Sequence, residues 1–231
     1  MFDIPMELKS LEDSIVAYEQ EPIEKGKILF YGHSIFTRWG SIVSKFGHRP
    51  LEEDIRMKDG SQACVNHGFG TSSSEELLYY YSRMVRPWEP RALVIMTLAN
   101  DGTYGMSVDQ SLNNVAKLCA WARADFPGIK IYLVEPHPHP RLAEGGAKPY
   151  KNSGLIRSNQ FAQSIKCYAE NHEDTKVIEL WNRPELFLTP EDVGDYMKVR
   201  EDIFATDKLH FNQAGYDLLG PIFRAELDEL L

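Results

Sequence analysis

The chain has 231 residues, of which 43% are hydrophobic and 26% charged, a balance typical of a globular protein with one large domain. Its net charge of −9 argues against a nucleic-acid groove, which needs a concentrated basic face. No stretch approaches the ~20 apolar residues of a membrane span, and the acidic N-terminal segment lacks the basic-then-apolar pattern of a secretory signal. These observations predict a soluble, cytoplasmic protein that binds neither nucleic acid nor membrane.

Apolar residues recur at helical spacing near the N-terminus: Leu8, Leu11, Ile15 and Tyr18. This spacing predicts an amphipathic helix over residues 5–20 that packs on the main body. We therefore expect a helical extension over residues 1–24 and one domain over residues 25–231.

Five apolar runs along the chain predict the strands of a sheet. They are Lys27–Tyr31, a weaker run at 61–68, and the runs at 91–100, 130–136 and 176–180. Their apolarity is continuous rather than alternating, which is typical of parallel strands that are covered on both faces.

Helical patterns separate the later strands. They cover residues 75–87, 108–125, 154–171 and 212–231. Strands that alternate with helices predict a doubly wound α/β fold, here a three-layer α/β/α sandwich with a five-stranded parallel sheet. Functional sites in such sheets lie at the carboxyl ends of the strands, so polar residues just after each apolar run are candidates.

Two polar residues meet that condition, and two more in the last long loop have chemistry that complements theirs. Ser34 follows the first strand in "ILFYGHS", Asn100 follows the third, and Asp207 and His210 stand three residues apart before the last helix. A serine hydroxyl becomes a good nucleophile when a histidine takes its proton, and a carboxylate orients that histidine. A side-chain amide can donate a hydrogen bond to the oxyanion that forms.

Each of these features alone also has a structural explanation. Ser34 could only cap the next helix, Asp207 could open a turn, and the segment 100–102, Asn-Asp-Gly, has ordinary turn composition. Their occurrence together, each at the predicted edge of the sheet, favours a functional site.

From about Lys25 to the C-terminus, the chain resembles the SGNH hydrolase superfamily, which contains the GDSL lipases and esterases. Four ordered blocks carry the resemblance: "ILFYGHSIFTRW", "VNHGFGTSSSEELLYYY", "LAND" and "DKLHFNQAGY". The resemblance implies a flavodoxin-like fold and ester hydrolysis that needs no metal or cofactor. It also implies that Ser34 is the nucleophile, His210 the general base and then acid, and Asp207 its orienting partner.

The resemblance further implies an oxyanion hole, and here the sequence departs from the family pattern. The donors would be the side-chain amide of Asn100 and the main-chain N–H groups of Ser34 and Thr71, where Thr71 stands in place of a glycine. His33 replaces the commonest aspartate, and Leu98 replaces the glycine of the third block. A β-branched residue at position 71 would strain a backbone with positive φ. We interpret these changes as divergence in specificity; the alternative is a catalytically impaired, ligand-binding protein.

The remaining motifs are assigned to structure. His137 and His139 in "EPHPHPRL" could bind a metal, but no third ligand stands at a matching spacing, so no metal site is expected. The loop 136–153 is expected to form a wall of the pocket, with Tyr150 as an aromatic surface. Trp39 is expected in the core.

Three cysteines, Cys64, Cys119 and Cys167, are an odd number without C-x-x-C spacing. This argues against a disulfide framework or a zinc site and predicts reduced, buried thiols.

The sequence as a whole predicts a serine esterase that works through an acyl-enzyme intermediate. The expected partner is a small-molecule ester with a short acyl group, such as acetyl, on a small polar or sugar-like alcohol. The fold of this superfamily also supports thioesterase and lysophospholipase chemistry, and a fold does not fix a function.

Overall fold

The computed structural model describes residues 8–142 and 153–231, and its centre is one sheet. The strands are β1 (Ile28–Gly32), β2 (Cys64–Gly68), β3 (Ala92–Met96), β4 (Lys130–Val134) and β5 (Thr175–Ile178). They lie in the order β2-β1-β3-β4-β5, and every neighbouring pair is parallel. The predicted five-stranded parallel sheet is therefore confirmed.

Seven α-helices surround the sheet in the described part of the chain. They are α1 (Leu8–Glu19), α2 (Ser34–Arg38), α3 (Leu51–Asp54), α4 (Ser74–Met84), α5 (Val108–Asp125), α6 (Ser153–Glu170) and α7 (Gln213–Glu226). Both α4 and α5 begin with a capping box, formed by Ser73 with Glu76 and by Ser107 with Gln110. Each box satisfies main-chain N–H groups that the first turn leaves without partners, which fixes where the helix begins.

Three elements end earlier than the sequence predicts. Pro87 has no N–H to donate, so α4 ends at Met84 and a 3₁₀ turn follows over Arg86–Trp88. β3 ends at Met96 because Leu98 has a φ of 84°, which an extended strand does not allow. The last helix, α7, ends at Glu226 and is followed by a 3₁₀ turn over residues 228–230.

Side chains of successive strand residues pack into two cores, one on each face of the sheet. Ile28 and Phe30 of β1 belong to the core that α2, α3 and α7 cover. Leu29 and Tyr31 belong to the core that α1, α4, α5 and α6 cover. The sheet is thus buried on both faces, which explains its continuous apolar runs and confirms the three-layer α/β/α sandwich.

The N-terminal helix α1 packs on the second of these cores. Leu11, Ile15 and Tyr18 are buried, and the Tyr18 hydroxyl donates a hydrogen bond to the Gly68 carbonyl oxygen at 2.6 Å. The division into an extension (1–24) and a domain (25–231) stays a prediction. No helix among the described residues is long and apolar enough to cross a bilayer.

The sequence predicts that Trp39 and the three cysteines are buried, and the structure differs at one of the cysteines. Trp39 is fully buried and stacks on Tyr216 with ring centroids 5.3 Å apart, so its predicted core position is confirmed. All three cysteines are free thiols, and Cys64 and Cys119 are buried. The prediction was wrong for Cys167, which is exposed because it lies on the face of α6 opposite the buried Ile165.

Candidate active site

Ser34 lies at the carboxyl edge of the sheet, where β1 passes directly into α2. It is the first residue of α2, and its side chain is half-buried. His33 caps the helix, because its Nδ1 accepts a hydrogen bond from the Ile35 N–H at 3.4 Å. Burial and the neighbouring His137 and His210 lower the pKa of His33 to about 3, so a neutral imidazole does the capping that a side-chain oxygen usually does.

Two glycines allow α2 to approach the neighbouring strand ends. A Cβ added at Gly32 would lie 2.4 Å from the carbonyl oxygen of Met96, and one at Gly68 would lie 2.4 Å from the main-chain nitrogen of Thr37. Real Cβ atoms do not approach backbone this closely, so no larger residue fits at either position. The position of Ser34 therefore depends on the packing of main chain against main chain.

The three residues predicted for catalysis form one hydrogen-bonded row. Ser34 Oγ lies 2.8 Å from His210 Nε2, and His210 Nδ1 lies 2.8 Å from Asp207 Oδ2. With its proton on Nδ1, the imidazole donates to the carboxylate and leaves Nε2 free to accept the serine proton. The structure thus brings together residues that are 176 positions apart in the chain.

Asp207 holds its own loop as well as the histidine. Its Oδ1 accepts hydrogen bonds from the N–H groups of Leu209 and His210 at 3.0 and 2.9 Å, and Arg38 Nη1 donates to Oδ2 at 3.2 Å. Burial opposes ionisation, but the hydrogen bonds from the main chain and ring of His210 outweigh it. They hold the pKa of Asp207 well below its ordinary value, so the carboxylate stays charged.

His210 is suited to accept a proton near neutral pH. Burial lowers its pKa below the ordinary value of 6.5, and the hydrogen bond to Asp207 opposes this shift only in part. The positive charge of Arg38 lowers the pKa further. The imidazole is therefore mainly neutral at pH 7, which is the form that a general base needs.

Thr71 and Asn100, which are predicted for the oxyanion hole together with Ser34, lie in the turns after β2 and β3. Asn100 Nδ2 donates a hydrogen bond to the Ser72 carbonyl oxygen at 2.9 Å, and a primary amide has a second N–H to offer. The Tyr104 hydroxyl donates to the Thr71 carbonyl oxygen at 3.2 Å. These two bonds fasten the turn after β2 to the turn after β3.

Thr71 and Leu98, which stand where the family pattern has glycine, keep the backbone that glycine favours. Their φ angles are 65° and 84°, in the left-handed region. This conformation costs an L-residue ~1–2 kcal/mol, so the expected strain at Thr71 is present. Leu98 is only 4% exposed, and its packing in the core offsets part of its cost.

Ser34, His210, Thr71 and Asn100 line one cavity of about 620 Å³. Described residues from the loop 136–153 form part of its wall, as predicted: Pro136, His137, His139, Arg141 and Leu142. Tyr150 lies outside the described residues, so its place in the wall stays a prediction.

His137 and His139 contribute neutral imidazoles to this wall. His137 Nε2 lies 2.8 Å from the Leu209 carbonyl oxygen, and burial lowers the pKa of His137 to about 4. Burial and the charge of His137 lower the pKa of His139 to about 2. Within residues 8–142 and 153–231, no group of three or more His, Cys, Asp or Glu residues is placed to hold a metal ion.

Three residues that support or line the site were not predicted from the sequence. Arg38 binds Asp207, and its spacing of four residues from Ser34 on α2 was an available signal. Asp101 is fully buried, and its Oδ1 accepts a hydrogen bond from the Ser74 N–H at 2.7 Å, which fastens the Asn100 turn to α4. Arg157 of α6 lines the cavity. Asp101 is the last residue of the block "LAND", which was an available signal, whereas no local pattern marks Arg157.

A family model for the GDSL-like lipase/acylhydrolase family matches residues 30–218. The chain belongs to this family. It is therefore an ester hydrolase, and the resemblance seen in the four sequence blocks is confirmed. No curated protein matches the sequence of this hydrolase.

Solved structures share the fold of the hydrolase at low sequence identity. A candidate acylhydrolase from Bacteroides fragilis NCTC 9343 is 17% identical, with a TM-score of 0.73 over 98% of this chain and 100% of the other. A GDSL-like lipase from Bacteroides thetaiotaomicron is 17% identical, with a TM-score of 0.65 over 97% and 98%. The acetyl xylan esterase AlAXEase is 17% identical, with a TM-score of 0.64 over 87% and 99%.

Proposed function

We propose that the hydrolase is a serine esterase with Ser34 as nucleophile, His210 as general base and acid, and Asp207 as the residue that orients His210. One observation carries the proposal: two hydrogen bonds of 2.8 Å connect Asp207 to His210 and His210 to Ser34. A lowered pKa of His210 and an ionised Asp207 give each group the charge state that this role requires.

The reaction proceeds in two halves. Ser34 Oγ attacks the ester carbonyl carbon while His210 Nε2 takes its proton, and the same imidazole then protonates the leaving alcohol as its C–O bond breaks. Water attacks the acyl-serine in the second half and gives a proton to His210. That proton returns to Ser34 Oγ as the carboxylic acid leaves.

The proposed oxyanion hole consists of the Asn100 side-chain amide and the main-chain N–H groups of Ser34 and Thr71. All three residues line the same cavity. Support also comes from the bonds that Asn100 and Tyr104 make to the turn after β2, because fixed donors need no reorganisation when charge develops.

The proposed substrate is a small-molecule ester with a short acyl group, such as acetyl, on a small polar or sugar-like alcohol. A cavity of about 620 Å³ lies within the range of small-molecule sites, and threonine, histidine and arginine side chains give it polar walls. The fold shared with an acetyl xylan esterase is consistent with this choice.

A cytoplasmic location is also part of the proposal. Its support is that all three cysteines are free thiols, the state that a reducing compartment maintains. Fractionation of the source cells, followed by immunodetection, tests it; recovery outside the cytoplasm contradicts it.

The decisive experiment labels the nucleophile. A fluorophosphonate probe should modify Ser34 stoichiometrically and abolish hydrolysis of 4-nitrophenyl acetate, with the site mapped by mass spectrometry. Ser34→Ala should lose both labelling and hydrolysis, whereas Ser158→Ala, which removes another hydroxyl of the same cavity, should still be labelled. Hydrolysis that persists in Ser34→Ala overturns the assignment.

The second candidate is a ligand-binding protein that has lost catalysis on this scaffold. The observation in its favour is the pair of non-glycine residues at positive φ beside the site, Thr71 and Leu98. It predicts that purified protein hydrolyses none of a panel of 4-nitrophenyl esters from acetate to octanoate, with no difference between the wild type and Ser34→Ala.

A further inference from the structure

The charge of the active-site cavity is opposite to that of the chain as a whole. The chain has a net charge of −9, yet the described residues that line the cavity include three arginines and no aspartate or glutamate. The arginines are Arg38, Arg141 and Arg157. A cleft lined by one sign of charge concentrates ligands of the opposite sign.

The three arginines differ in what they bind. Arg38 is paired with Asp207 at 3.2 Å and thus belongs to the loop that carries His210. Arg141 is exposed at the rim. Arg157 has its Nη2 atom buried with no hydrogen-bond partner among the residues that the structure describes. A charged donor that is withdrawn from water without an acceptor is unfavourable, so this nitrogen is the one prepared for a ligand.

A nearby acid does not neutralise Arg157. Asp101 is close enough for its pKa to be lowered by the charge of Arg157, but no ion pair joins the two in the described part of the chain. Asp101 Oδ1 accepts instead from the Ser74 N–H. Burial is the largest influence on Asp101 and raises its pKa above the ordinary value, which weakens its hold on a positive charge nearby.

The turn after β3 leaves space for the guanidinium. A Cβ added at Gly102 would lie 2.8 Å from Arg157 Nε and 3.3 Å from Arg157 Nη2. Gly102 is two residues after Asn100, so the guanidinium lies beside the turn that carries the proposed oxyanion donor. A group bound by Arg157 would therefore belong to the same molecule as an ester held at Ser34.

We propose that Arg157 binds a carboxylate group of the substrate while Ser34 attacks the ester. This inference rests on the proposed serine esterase function and narrows its substrate to esters that carry one negative charge. The planar guanidinium matches a carboxylate with two parallel N–H bonds. Among the arginines that the structure describes in the cavity, only Arg157 has a buried nitrogen without a partner, and one such donor matches a single negative charge.

Two pairs of esters test this assignment. The first pair, 4-acetoxyphenylacetate and 4-acetoxyphenylacetamide, differs by one charge on the alcohol side. The second pair, the 4-nitrophenyl monoester of adipic acid and that of adipamic acid, differs by one charge on the acyl side. For each pair we measure the ratio of kcat/KM for the anionic ester to kcat/KM for the neutral ester, at low ionic strength, after subtraction of the buffer rate.

The wild type should prefer the anionic member of at least one pair. Arg157→Gln should lower that ratio about 10- to 100-fold, the usual range for a charge-assisted hydrogen bond, and Arg157→Lys should lie between the two. Gly102→Ala should lower the ratio with all charges retained, because the new methyl group displaces the guanidinium. The control Arg224→Gln removes an exposed charge from α7 and should leave the ratio unchanged. The pair of esters whose ratio falls in Arg157→Gln shows whether the carboxylate lies on the alcohol side or the acyl side of the substrate.

The result that overturns the assignment is an equal ratio in wild type, Arg157→Gln and Gly102→Ala for both pairs, with hydrolysis still dependent on Ser34. The esterase proposal would survive that outcome. If neither pair is hydrolysed but 4-nitrophenyl acetate is, in a Ser34-dependent reaction, the carboxylate assignment alone fails; if 4-nitrophenyl acetate is not hydrolysed either, both proposals fail. If circular dichroism shows that Arg157→Gln does not fold, the ratios measured for Gly102→Ala and Arg157→Lys test the assignment instead.

Discussion

The two sides of Ser34 are held in place by different means. On the histidine side, side-chain hydrogen bonds do the work: Asp207 accepts from the ring of His210, from two main-chain N–H groups of its own loop, and from Arg38. On the side of the proposed oxyanion hole, the main chain itself is bent, with Thr71 and Leu98 at φ angles of 65° and 84°. The first arrangement depends on which side chains are present, and the second on a backbone conformation that several residues can adopt. Substitutions on the histidine side should therefore abolish the reaction, whereas those at the strained turns should adjust it.

The largest effect is expected when the base is removed. His210→Ala should lower kcat for 4-nitrophenyl acetate by a factor on the order of 10⁴–10⁶, because the Ser34 hydroxyl then has no proton acceptor. The double variant Ser34→Ala/His210→Ala should be no worse than either single variant, since the two residues act as one unit. Additive losses, or a mild loss with intact fold, would show that the row is structural.

The next effect concerns the orienting carboxylate. Asp207→Asn should lower kcat by a factor of about 10⁴, because an amide can donate to Nδ1 and so favour the wrong tautomer of His210. Arg38→Gln removes a charge that lies 3.2 Å from Asp207 and lowers the pKa of His210, but it leaves the carboxylate in place, so it is the matched control, with a loss of about tenfold or less. Similar losses for the two variants would indicate that the charge pair, rather than the tautomer, controls the rate.

Removal of the side-chain oxyanion donor should cost less. Asn100→Ala is expected to lower kcat by about 10²–10³ with little change in KM, because the second N–H binds charge that develops only in the transition state. The lost bond to Ser72 should appear separately as a lower melting temperature. A raised KM with unchanged kcat would instead make Asn100 a residue that positions the substrate.

The pH profile probes the balance between burial and pairing at His210. Only the neutral imidazole accepts a proton, so kcat/KM should rise with pH and reach its plateau as His210 deprotonates. Because the folded-state pKa is lowered, the midpoint of the rise should fall below 6.5, and activity should persist into mildly acidic solution. A midpoint above 6.5, measured on 4-nitrophenyl acetate, would mean that the hydrogen bond to Asp207 influences the pKa of His210 more than burial does.

The smallest effect is expected at the strained turn. Thr71→Gly removes the left-handed strain of ~1–2 kcal/mol but frees the unfolded chain by ~0.4–1 kcal/mol, so the free energy of unfolding should rise by between ~0 and ~1.6 kcal/mol. Activity on bulkier acyl groups should rise a few-fold as the cavity widens. Thr71→Ala keeps the left-handed strain and removes the hydroxyl and methyl groups on Cβ. It therefore separates the effect of backbone strain from the effect of side-chain size. Lower activity with unchanged specificity in Thr71→Gly would make the threonine itself part of the reaction.

The sheet and the histidine side of the site could be predicted from the sequence because each depends on residues that are close together in the chain. All five residues of β1 are buried, so the run itself is apolar, and the row of Ser34, Asp207 and His210 follows from motifs at strand and loop ends. The place of Arg157 depends on how α6 packs beside the turn after β3, which no short stretch of sequence encodes. The φ angle of Leu98 was also hidden, because a branched apolar residue after a strand favours continued extension, and only this angle explains the early end of β3.

Gly32 and Gly68 limit which positions of the protein can be varied by directed evolution. A library that varies Gly32 or Gly68 would consist mainly of misfolded proteins, because any side chain there meets backbone at 2.4 Å. Positions 71 and 157, by contrast, border the cavity. Selection for new esters can therefore vary position 157, and position 71 among residues that accept its left-handed backbone, while the glycines keep Ser34 in place.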